Sequence, residues 1–110
     1  MFWSADKVVA TGCDDGSVVL VGVETGARLP ALHHGESVTH LSFSSSSRYL
    51  ASGSESLLKV WDLKHRRGGV PLLEYALSSP LVSVSFDRSQ RRVLAVLESG
   101  TALLWELEDI

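Results

Sequence analysis

Five side chains of this chain are of the types that bind transition metals. They are one cysteine and four histidines: Cys13, His33, His34, His40 and His65. A zinc site usually takes its ligands from closely spaced pairs such as C-x-x-C or H-x-x-x-H, because that spacing turns two ligands toward one point. No two of these residues have such a spacing. The sequence therefore predicts no metal site.

Two further stretches carry several side-chain oxygens. Asp14-Asp15-Gly16 could open a calcium-binding loop, but the rest of the ligand series is absent, and Asp-Gly is typical of a hairpin turn because it accepts positive φ. The serine run 44–47 could accept a phosphate, yet small polar residues between apolar segments are also typical of a turn. We interpret both stretches as turns.

Catalysis requires an acid, a base or a nucleophile that converge on one point. The acidic residues are scattered through the turns and the stretch 106–109, and no Ser/His/Asp arrangement follows from their spacing. The sequence therefore predicts a protein that is not an enzyme and that uses no cofactor.

Basic residues concentrate in the stretch 64–67 and at Arg88, Arg91 and Arg92. They could form an edge that binds RNA, or they could be solvated loops that keep the protein soluble. The formal net charge of the chain is −3 and its pI is about 5.7. This balance gives no general reason to expect nucleic acid or an anionic membrane as a partner.

Cysteine usage and hydropathy indicate the compartment. The single cysteine cannot form an internal disulfide and fits a reducing environment. No apolar run approaches the roughly 20 residues of a membrane helix, and residues 1–6 lack the basic and apolar regions of a signal peptide. We expect an intracellular protein, cytoplasmic or nuclear, with no membrane partner.

The elements that position these residues come from an internal repeat. Three segments align with one another: 2–23, 38–63 and 81–107. Their phenylalanines recur after 41 and 43 positions: Phe2, Phe43 and Phe86. Residues near the segment ends recur after 40 and 44 positions: Val21, Trp61 and Trp105. A period in the low forties with four short strands per unit is typical of a β-propeller blade.

Each segment divides into short strands. In the second, strands over 38–43, 48–52 and 57–61 are separated by polar turns. The segments 26–32 and 69–75 are expected to form outer strands, because the proline in each suits an edge position. Glycines, prolines and serine runs interrupt every stretch with a helical pattern, so no helix is expected.

The second segment resembles the WD40 repeat family. His33-His34 stands where the family has Gly-His, followed by V-T-H-L-S-F, L-A-S-G-S and K-V-W-D-L. The third segment is similar through L-V-S-V-S-F and L-L-W-E-L, and the first through A-T-G-C-D-D-G-S. The resemblance extends over nearly the whole chain. It implies an all-β fold, a partial WD40-type β-propeller of about three four-stranded antiparallel blades.

The resemblance also implies a hydrogen-bonded set in each blade, made of a His, a Ser or Thr, an Asp in the turn and a Trp. The residues at these positions are His34, Ser52 and Trp61 in the second repeat, Thr11 and Asp15 in the first, and Trp105 in the third. The second turn is one residue shorter and offers Glu55 or Ser56 for the aspartate. Val21 replaces the first Trp, and Ala95 and Ser99 replace Ser/Thr and Asp in the third repeat.

The repeats are expected over about residues 1–26, 27–68 and 69–110, cut mid-repeat at both ends. Phe2 is expected to end a first strand and Leu107 a third strand. Two apolar faces are then left uncovered, one at Phe2, Val8 and Val19 and one at Val96, Leu103 and Leu104. Three interpretations follow: a fragment of a longer propeller, a truncated gene product, or a chain that pairs with a second copy or with another chain's blades.

The function that the resemblance implies is a scaffold that binds proteins or peptides through rim loops. These loops are 14–17, 33–37, 55–57, 77–80 and 98–101. Their candidate partner-facing residues are His33, Glu36, Asp14, Glu55, Ser56, Ser79, Glu98 and Ser99. The glutamates make the rim mildly acidic, which favours a basic peptide.

Two alternatives remain. One is a component of an RNA-processing or ribosome-assembly particle, in which the basic loops bind RNA. The other is a substrate receptor for a cullin-type ubiquitin ligase, because Trp61, Asp62 and Lys64 resemble the short W-D-x-R/K box that binds the ligase adaptor.

Overall fold

The computed structural model describes residues 2–4, 8–22, 26, 28–44, 49–63, 71–88 and 91–107. These residues form eleven β-strands in three antiparallel sheets. Sheet 1 contains β1 (Phe2–Ser4), β2 (Val8–Gly12), β3 (Ser17–Gly22) and β4 (Arg28–His33). Sheet 2 contains β5 (His40–Phe43), β6 (Tyr49–Gly53), β7 (Leu57–Asp62) and β8 (Leu73–Ala76). Sheet 3 contains β9 (Leu81–Phe86), β10 (Arg92–Leu97) and β11 (Ala102–Glu106).

Each sheet is a meander in which successive strands are neighbours. The turns from second to third strand carry the residues that such turns need. Gly16 and Gly100 adopt φ of 91° and 90° there, a region that side chains disfavour. In sheet 2 the turn is one residue shorter, because Gly53 pairs with Leu58 where Gly12 pairs with Val18.

The outer strands differ from their predicted limits. β4 begins at Arg28 and ends at His33 rather than spanning 26–32, and Pro30 lies where its register with β3 is irregular. That is an edge site, where a missing N–H is tolerated. β8 begins only at Leu73. Pro71 precedes it because proline has no N–H to donate to β7, and residues 69 and 70 lie outside the described part of the chain.

The predicted alignment of Phe2 is wrong by two residues. Phe2 pairs with Thr11, and Ser4 is the residue that pairs with Val9. In sheet 2 the matching pairs are Leu41 with Ser52 and Phe43 with Leu50. Phe2 is therefore equivalent to Leu41 and begins its described strand instead of ending it. The cause is a shorter connection between the first two strands of sheet 1, which a fixed repeat length does not reveal.

Two apolar cores lie between the sheets. The core between sheets 1 and 2 is formed by Ala10, Val18, Leu20, Leu32, Val38, Leu41, Leu50 and Trp61. The core between sheets 2 and 3 is formed by Tyr49, Ala51, Leu58, Val60, Leu77, Leu81, Val93, Ala95, Leu97 and Leu107. Alternate residues of β6 and β7 enter opposite cores because successive side chains of a strand point to opposite faces. Sheet 2 is thereby covered on both faces.

Glycine allows the sheets to approach closely at equivalent points. A Cβ at Gly12 would lie 2.6 Å from a methyl carbon of Val38, and a Cβ at Gly53 would lie 2.3 Å from one of Leu81. Both glycines end the second strand of a sheet and face the first residues of the next sheet. The glycines therefore set the inter-sheet distance at one end of each core.

The outer face of sheet 3 is only partly as predicted. Leu104 is 60% exposed and Val96 is half-buried. Leu103 was expected beside them, but it packs against the core between sheets 2 and 3, because it lies one residue from Leu104 and so points the opposite way. On sheet 1, Val19 is half-buried, while the side chains of Phe2 and Val8 lie outside the described part.

Candidate functional site

His34 lies at the junction of sheets 1 and 2 and is completely buried. It follows β4 directly, and its backbone N–H donates to the carbonyl of Gly16. Gly35 next to it adopts φ of 98°, which turns the chain into the loop before β5. The chain direction imposed by β4 therefore puts the imidazole between β6 and its turn, where Ser52 and Ser54 lie 2.8 Å and 2.9 Å from its two nitrogens.

Five side chains form one continuous hydrogen-bonded chain. Trp61 Nε1 donates to Ser52 Oγ over 2.9 Å, and Ser54 Oγ donates to the Glu36 carboxylate over 2.6 Å. Because the Ser54 proton is used for Glu36, Ser54 accepts from His34, and the imidazole proton lies on Nε2. Nδ1 then accepts from Ser52, which in turn accepts from Trp61. Every donor in this chain has an acceptor, which is the condition for burying polar groups.

Burial of His34 lowers its pKa to about 4, and the charge of Lys59 acts in the same direction. The charges of Glu36 and Glu74 act in the opposite direction. Protonation of Nδ1 would also remove an acceptor that Ser52 uses. His34 is therefore neutral at pH 7, and its role in this arrangement is to connect hydroxyl groups.

Glu36 fastens the loop after His34 to the turn between β6 and β7. Its Oε1 accepts from Ser54 and its Oε2 accepts from Ser56 over 2.5 Å. These two bonds, that from Ser54 first, hold the pKa of Glu36 below its usual range. The carboxylate thus reaches from the neighbouring loop to the turn where the family resemblance places an aspartate.

Lys59 ties the same junction together from β7. Its ammonium donates to the carbonyl of His33 over 3.3 Å and pairs with Glu74 on β8 at 3.7 Å. It also lies 5.9 Å from the centre of the Trp61 ring. These contacts join the end of sheet 1 to the third and fourth strands of sheet 2.

The structure thus brings three residues of the expected set together: His34, Ser52 and Trp61. Glu55 and Ser56, suggested for the aspartate position, are both exposed, and the second imidazole nitrogen bonds to Ser54 instead. Ser54 is not among the residues predicted from the sequence, although the motif L-A-S-G-S contains a signal for it. Two serines separated by one residue share a face of a strand, so both can contact one ring.

The sets of the other two sheets are organised differently. In sheet 1, Asp15 accepts from the backbone and the hydroxyl of Ser17, and these bonds lower its pKa; Thr11 is half-buried on β2. In sheet 3, the ring of Trp105 contacts Tyr75 edge-on, with ring centres 5.1 Å apart. Asp15 therefore serves its own turn, and Trp105 serves packing.

The five predicted rim loops form one continuous surface, which we call the rim. The loop after β4 bonds to the turn at Cys13–Gly16, where Ser37 donates to Asp14. Glu36 joins it to the turn 54–56. Leu77 donates to Ser56 from the next loop. Ser99 donates to Ser79, and the Glu98 N–H to the carbonyl of Pro80, which joins the last turn.

The rim is acidic and hydroxyl-rich. Five exposed or half-buried carboxylates lie along it: Asp14, Asp15, Glu36, Glu55 and Glu98. His33 is exposed beside them. A shallow depression of about 300 Å³ lies at its centre, lined by Glu36, Ser37, Thr39, Ser54, Glu55 and Ser56. The carboxylate and hydroxyl oxygens of this depression can accept hydrogen bonds from a cationic ligand.

The remaining candidates are a metal site, a membrane-spanning helix and the adaptor box. Within the described residues, no group of three or more His, Cys, Asp and Glu side chains could hold a metal ion. No helix in the described part of the chain is long and apolar enough to cross a membrane. Of the candidate adaptor box, Trp61 is 2% exposed and Asp62 half-buried, and Lys64 lies outside the described residues together with 65–67.

Antiparallel meanders that pack side by side in this way are blades of a β-propeller. The β-propeller domain of Cps50 (Swd1) from Myceliophteria thermophila superimposes with a TM-score of 0.79 over 98% of this chain and 35% of that chain, at 23% identity. The computationally designed Ika4 protein superimposes with a TM-score of 0.80 over 97% of this chain and 64% of that chain, at 26% identity. The all-β, partial-propeller prediction is confirmed.

The family model described as WD domain, G-beta repeat matches residues 28–62. Residues 28–62 therefore form a WD40 repeat, and the resemblance to the WD40 repeat family that the motifs indicate is confirmed. It is 31% identical over 109 residues to Periodic tryptophan protein 2 homolog of Schizosaccharomyces pombe. It is 36% identical over 64 residues, 57% of this chain, to Coronin-like protein of Saccharomyces cerevisiae. The matches span 96% of this chain in the first case, but only 12% and 10% of those two relatives.

Proposed function

We propose that this chain is part of a non-enzymatic WD40 scaffold that binds a protein or peptide along the rim. The observation that carries the proposal is the continuity of the rim: hydrogen bonds link each of its loops to the next. Loops that are fastened to one another lose little conformational entropy when a ligand binds. Antiparallel sheets hold both ends of these loops, which is how a rigid scaffold presents a binding surface.

The charge of the rim favours a basic peptide. Glu55 and Glu98 are exposed, whereas both oxygens of Glu36 already accept hydroxyl bonds. The first two carboxylates are therefore free to steer a Lys- or Arg-rich segment toward the rim, and Glu36 shapes the surface between them. Charges of this kind act mainly on association rate and on salt dependence.

Binding of a fluorescein-labelled, lysine-rich peptide tests the proposal by fluorescence anisotropy. The variant Glu55→Gln/Glu98→Gln is expected to raise the dissociation constant by about tenfold. Asp87→Asn/Glu106→Gln is the matched control, because it removes the same charge from the ends of β9 and β11 opposite the rim. No binding by the native chain, or an equal loss in both variants, would contradict the proposal.

The second candidate is binding of RNA at the opposite edge, favoured by three exposed arginines in the β9–β10 connection and at the start of β10: Arg88, Arg91 and Arg92. A salt titration against single-stranded RNA tests it, because release of counterions makes such binding fall steeply with salt. Arg88→Gln should weaken RNA binding and leave peptide binding unchanged. For either function we propose an intracellular location, supported by the single cysteine.

A further inference from the structure

The connection between β8 and β9 contains a serine that is followed by proline. The chain has prolines at positions 30, 71 and 80, and of these only Pro80 follows a residue with a hydroxyl group, which is Ser79. Proline-directed kinases select such a pair, because proline brings no backbone N–H into the apolar pocket that receives the residue after the target serine. Ser79-Pro80 is therefore the one dipeptide of this sequence that a kinase of this class recognises.

The dipeptide lies in a short projection of the rim. Ser78 and Pro80 are exposed, and Ser79 between them is half-buried. Leu77 and Leu81 on either side are buried in the core between sheets 2 and 3 and anchor the projection. The residue before a proline is largely restricted to extended conformations, and a kinase binds its substrate as an extended chain. Pro80 therefore favours the backbone conformation that the kinase needs at Ser79.

Hydrogen-bond donors for a phosphate lie beside the Ser79 hydroxyl. The backbone N–H of Ser99 donates to Ser79 Oγ over 3.1 Å, in an exposed contact. The Ser99 hydroxyl bonds to the hydroxyl of Thr101, and either of the two can be the donor, which leaves the Ser99 proton available for a phosphate oxygen. Glu98 on the same turn is exposed, so solvent and salt weaken its repulsion of a phosphate.

We propose that Ser79 is a phosphorylation site for a proline-directed kinase and that its phosphate strengthens binding of a basic peptide to the rim. A bond forms between Ser79 Oγ and the γ-phosphorus of ATP, and the bond from that phosphorus to the β,γ-bridging oxygen breaks. ADP leaves with the electron pair, and the hydroxyl proton passes to a carboxylate of the kinase. The phosphate adds a charge of about −1.5 to −2 at pH 7 to a rim that is already acidic. The gain in affinity rests on the proposed peptide binding, whereas the modification of Ser79 does not.

Incubation of the 110-residue chain with ATP and a purified mitogen-activated protein kinase tests the site, and tandem mass spectrometry locates the phosphate. Incorporation at Ser79 is expected. Ser79→Ala and Pro80→Ala should both abolish it, although Pro80→Ala keeps the carbonyl that accepts from the Glu98 N–H. Ser78→Ala is the matched control, because Ser78 is exposed but is not followed by proline, and it should be phosphorylated like the native chain. Circular dichroism of each variant verifies folding.

Fluorescence anisotropy with the lysine-rich peptide tests the effect of the phosphate. The chain phosphorylated at Ser79 should bind this peptide at least about threefold more tightly than the unmodified chain at low salt. The difference should decrease as salt is added, because the new charge is exposed. Ser79→Ala treated with the same kinase should show no gain.

Three results would overturn the proposal. The first is no phosphate at Ser79 under conditions in which a short Ser-Pro peptide is phosphorylated. The second is incorporation that Pro80→Ala leaves unchanged. The third is equal affinity of the phosphorylated and unmodified chains for a peptide that both bind. A chain that takes up phosphate at Ser79 but binds no peptide in either form would refute the proposed peptide binding and still support the phosphorylation site.

Discussion

Sheets 2 and 3 have equivalent second and third strands but hold their third-strand tryptophans in different ways. Trp61 donates to Ser52, which belongs to the buried chain of hydrogen bonds that ends at Glu36. In sheet 3 the position of Ser52 is taken by Ala95, which is completely buried, and Trp105 contacts Tyr75 instead. The tryptophan position therefore serves packing in both sheets, and among the described residues of these two sheets the polar chain is found in sheet 2.

This difference makes the two sheets unequal in their sensitivity to change. A buried polar group contributes to stability only while its partner is present, and its loss leaves the remaining group without a hydrogen bond. A buried alanine side chain needs no hydrogen-bond partner. Single substitutions that remove a side chain should therefore destabilise sheet 2 more than sheet 3.

The largest effect is expected from the tryptophans themselves. Trp61→Ala should lower the free energy of unfolding by about 3–5 kcal/mol, because it empties a fully buried site and removes the donor to Ser52. Trp105→Ala should cost roughly half as much, since Trp105 is only half-buried. Urea denaturation measures both. Equal losses would show that the polar chain adds nothing to packing.

The sequence predicts the packing part of this comparison well. The positions of Trp61 and Trp105, the short strands and the shorter turn at 54–56 all follow from a repeat with period-two alternation. The register of β1 does not follow, because the number of residues between two strands is free to vary while their pattern of apolar residues stays the same. The side-by-side order of the sheets is predicted from the family resemblance and not from this alternation.

The polar chain is less accessible from the sequence. Motif positions suggest three of its members: His34, Ser52 and Trp61. The other two, Glu36 and Ser54, belong to two different loops and contact each other only because these loops approach. A contact of this kind depends on how Gly35 directs the backbone after β4. Motif positions describe single strands and turns, and so they do not predict that one loop contacts another.

The second prediction concerns pH. Folded His34 takes up a proton only near pH 4, whereas its ordinary pKa is 6.5. Between these values the unfolded chain binds the proton and the folded chain does not, so stability is complete above pH 6.5 and decreases as the pH falls. The full loss is about 3 kcal/mol. Urea denaturation at a series of pH values from 7 to 4 measures it.

His34→Gln separates this effect from other titrations. The variant is expected to be less stable at pH 7 but to lose less stability between pH 6.5 and 4.5. His33→Gln, which changes the exposed neighbouring histidine, is the matched control and is measured over the same pH series. If His34→Gln kept the native slope, the pH dependence would have to come from a different group.

The third prediction compares two serines of the same turn. Ser54 is 1% exposed and both accepts from His34 and donates to Glu36, so Ser54→Ala leaves a buried imidazole N–H without an acceptor and should cost about 1–3 kcal/mol. Ser56 is exposed, and Ser56→Ala should stay within about 0.5 kcal/mol of the native protein. Thermal unfolding distinguishes them, and a reversed order would contradict the proton positions derived for His34.

The smallest effect is expected at Glu36, where only one end of the polar chain changes. Glu36→Gln keeps an oxygen that can accept from Ser54, and Ser56 can rotate its hydroxyl to accept from the new amide. The variant should therefore be destabilised less than Ser54→Ala, while Glu36→Ala, which removes the connection between the loops, should be destabilised more than Glu36→Gln.

The lowered pKa of Glu36 adds a second readout. The stabilising effect of the Glu36 carboxylate is present above the usual carboxyl pKa and is lost as the pH falls through the lowered value, so the glutamine variant should lose less stability on acidification. If Glu36→Gln were as damaging as Ser54→Ala, the charge of Glu36, rather than its reach between two loops, would be what holds this junction together.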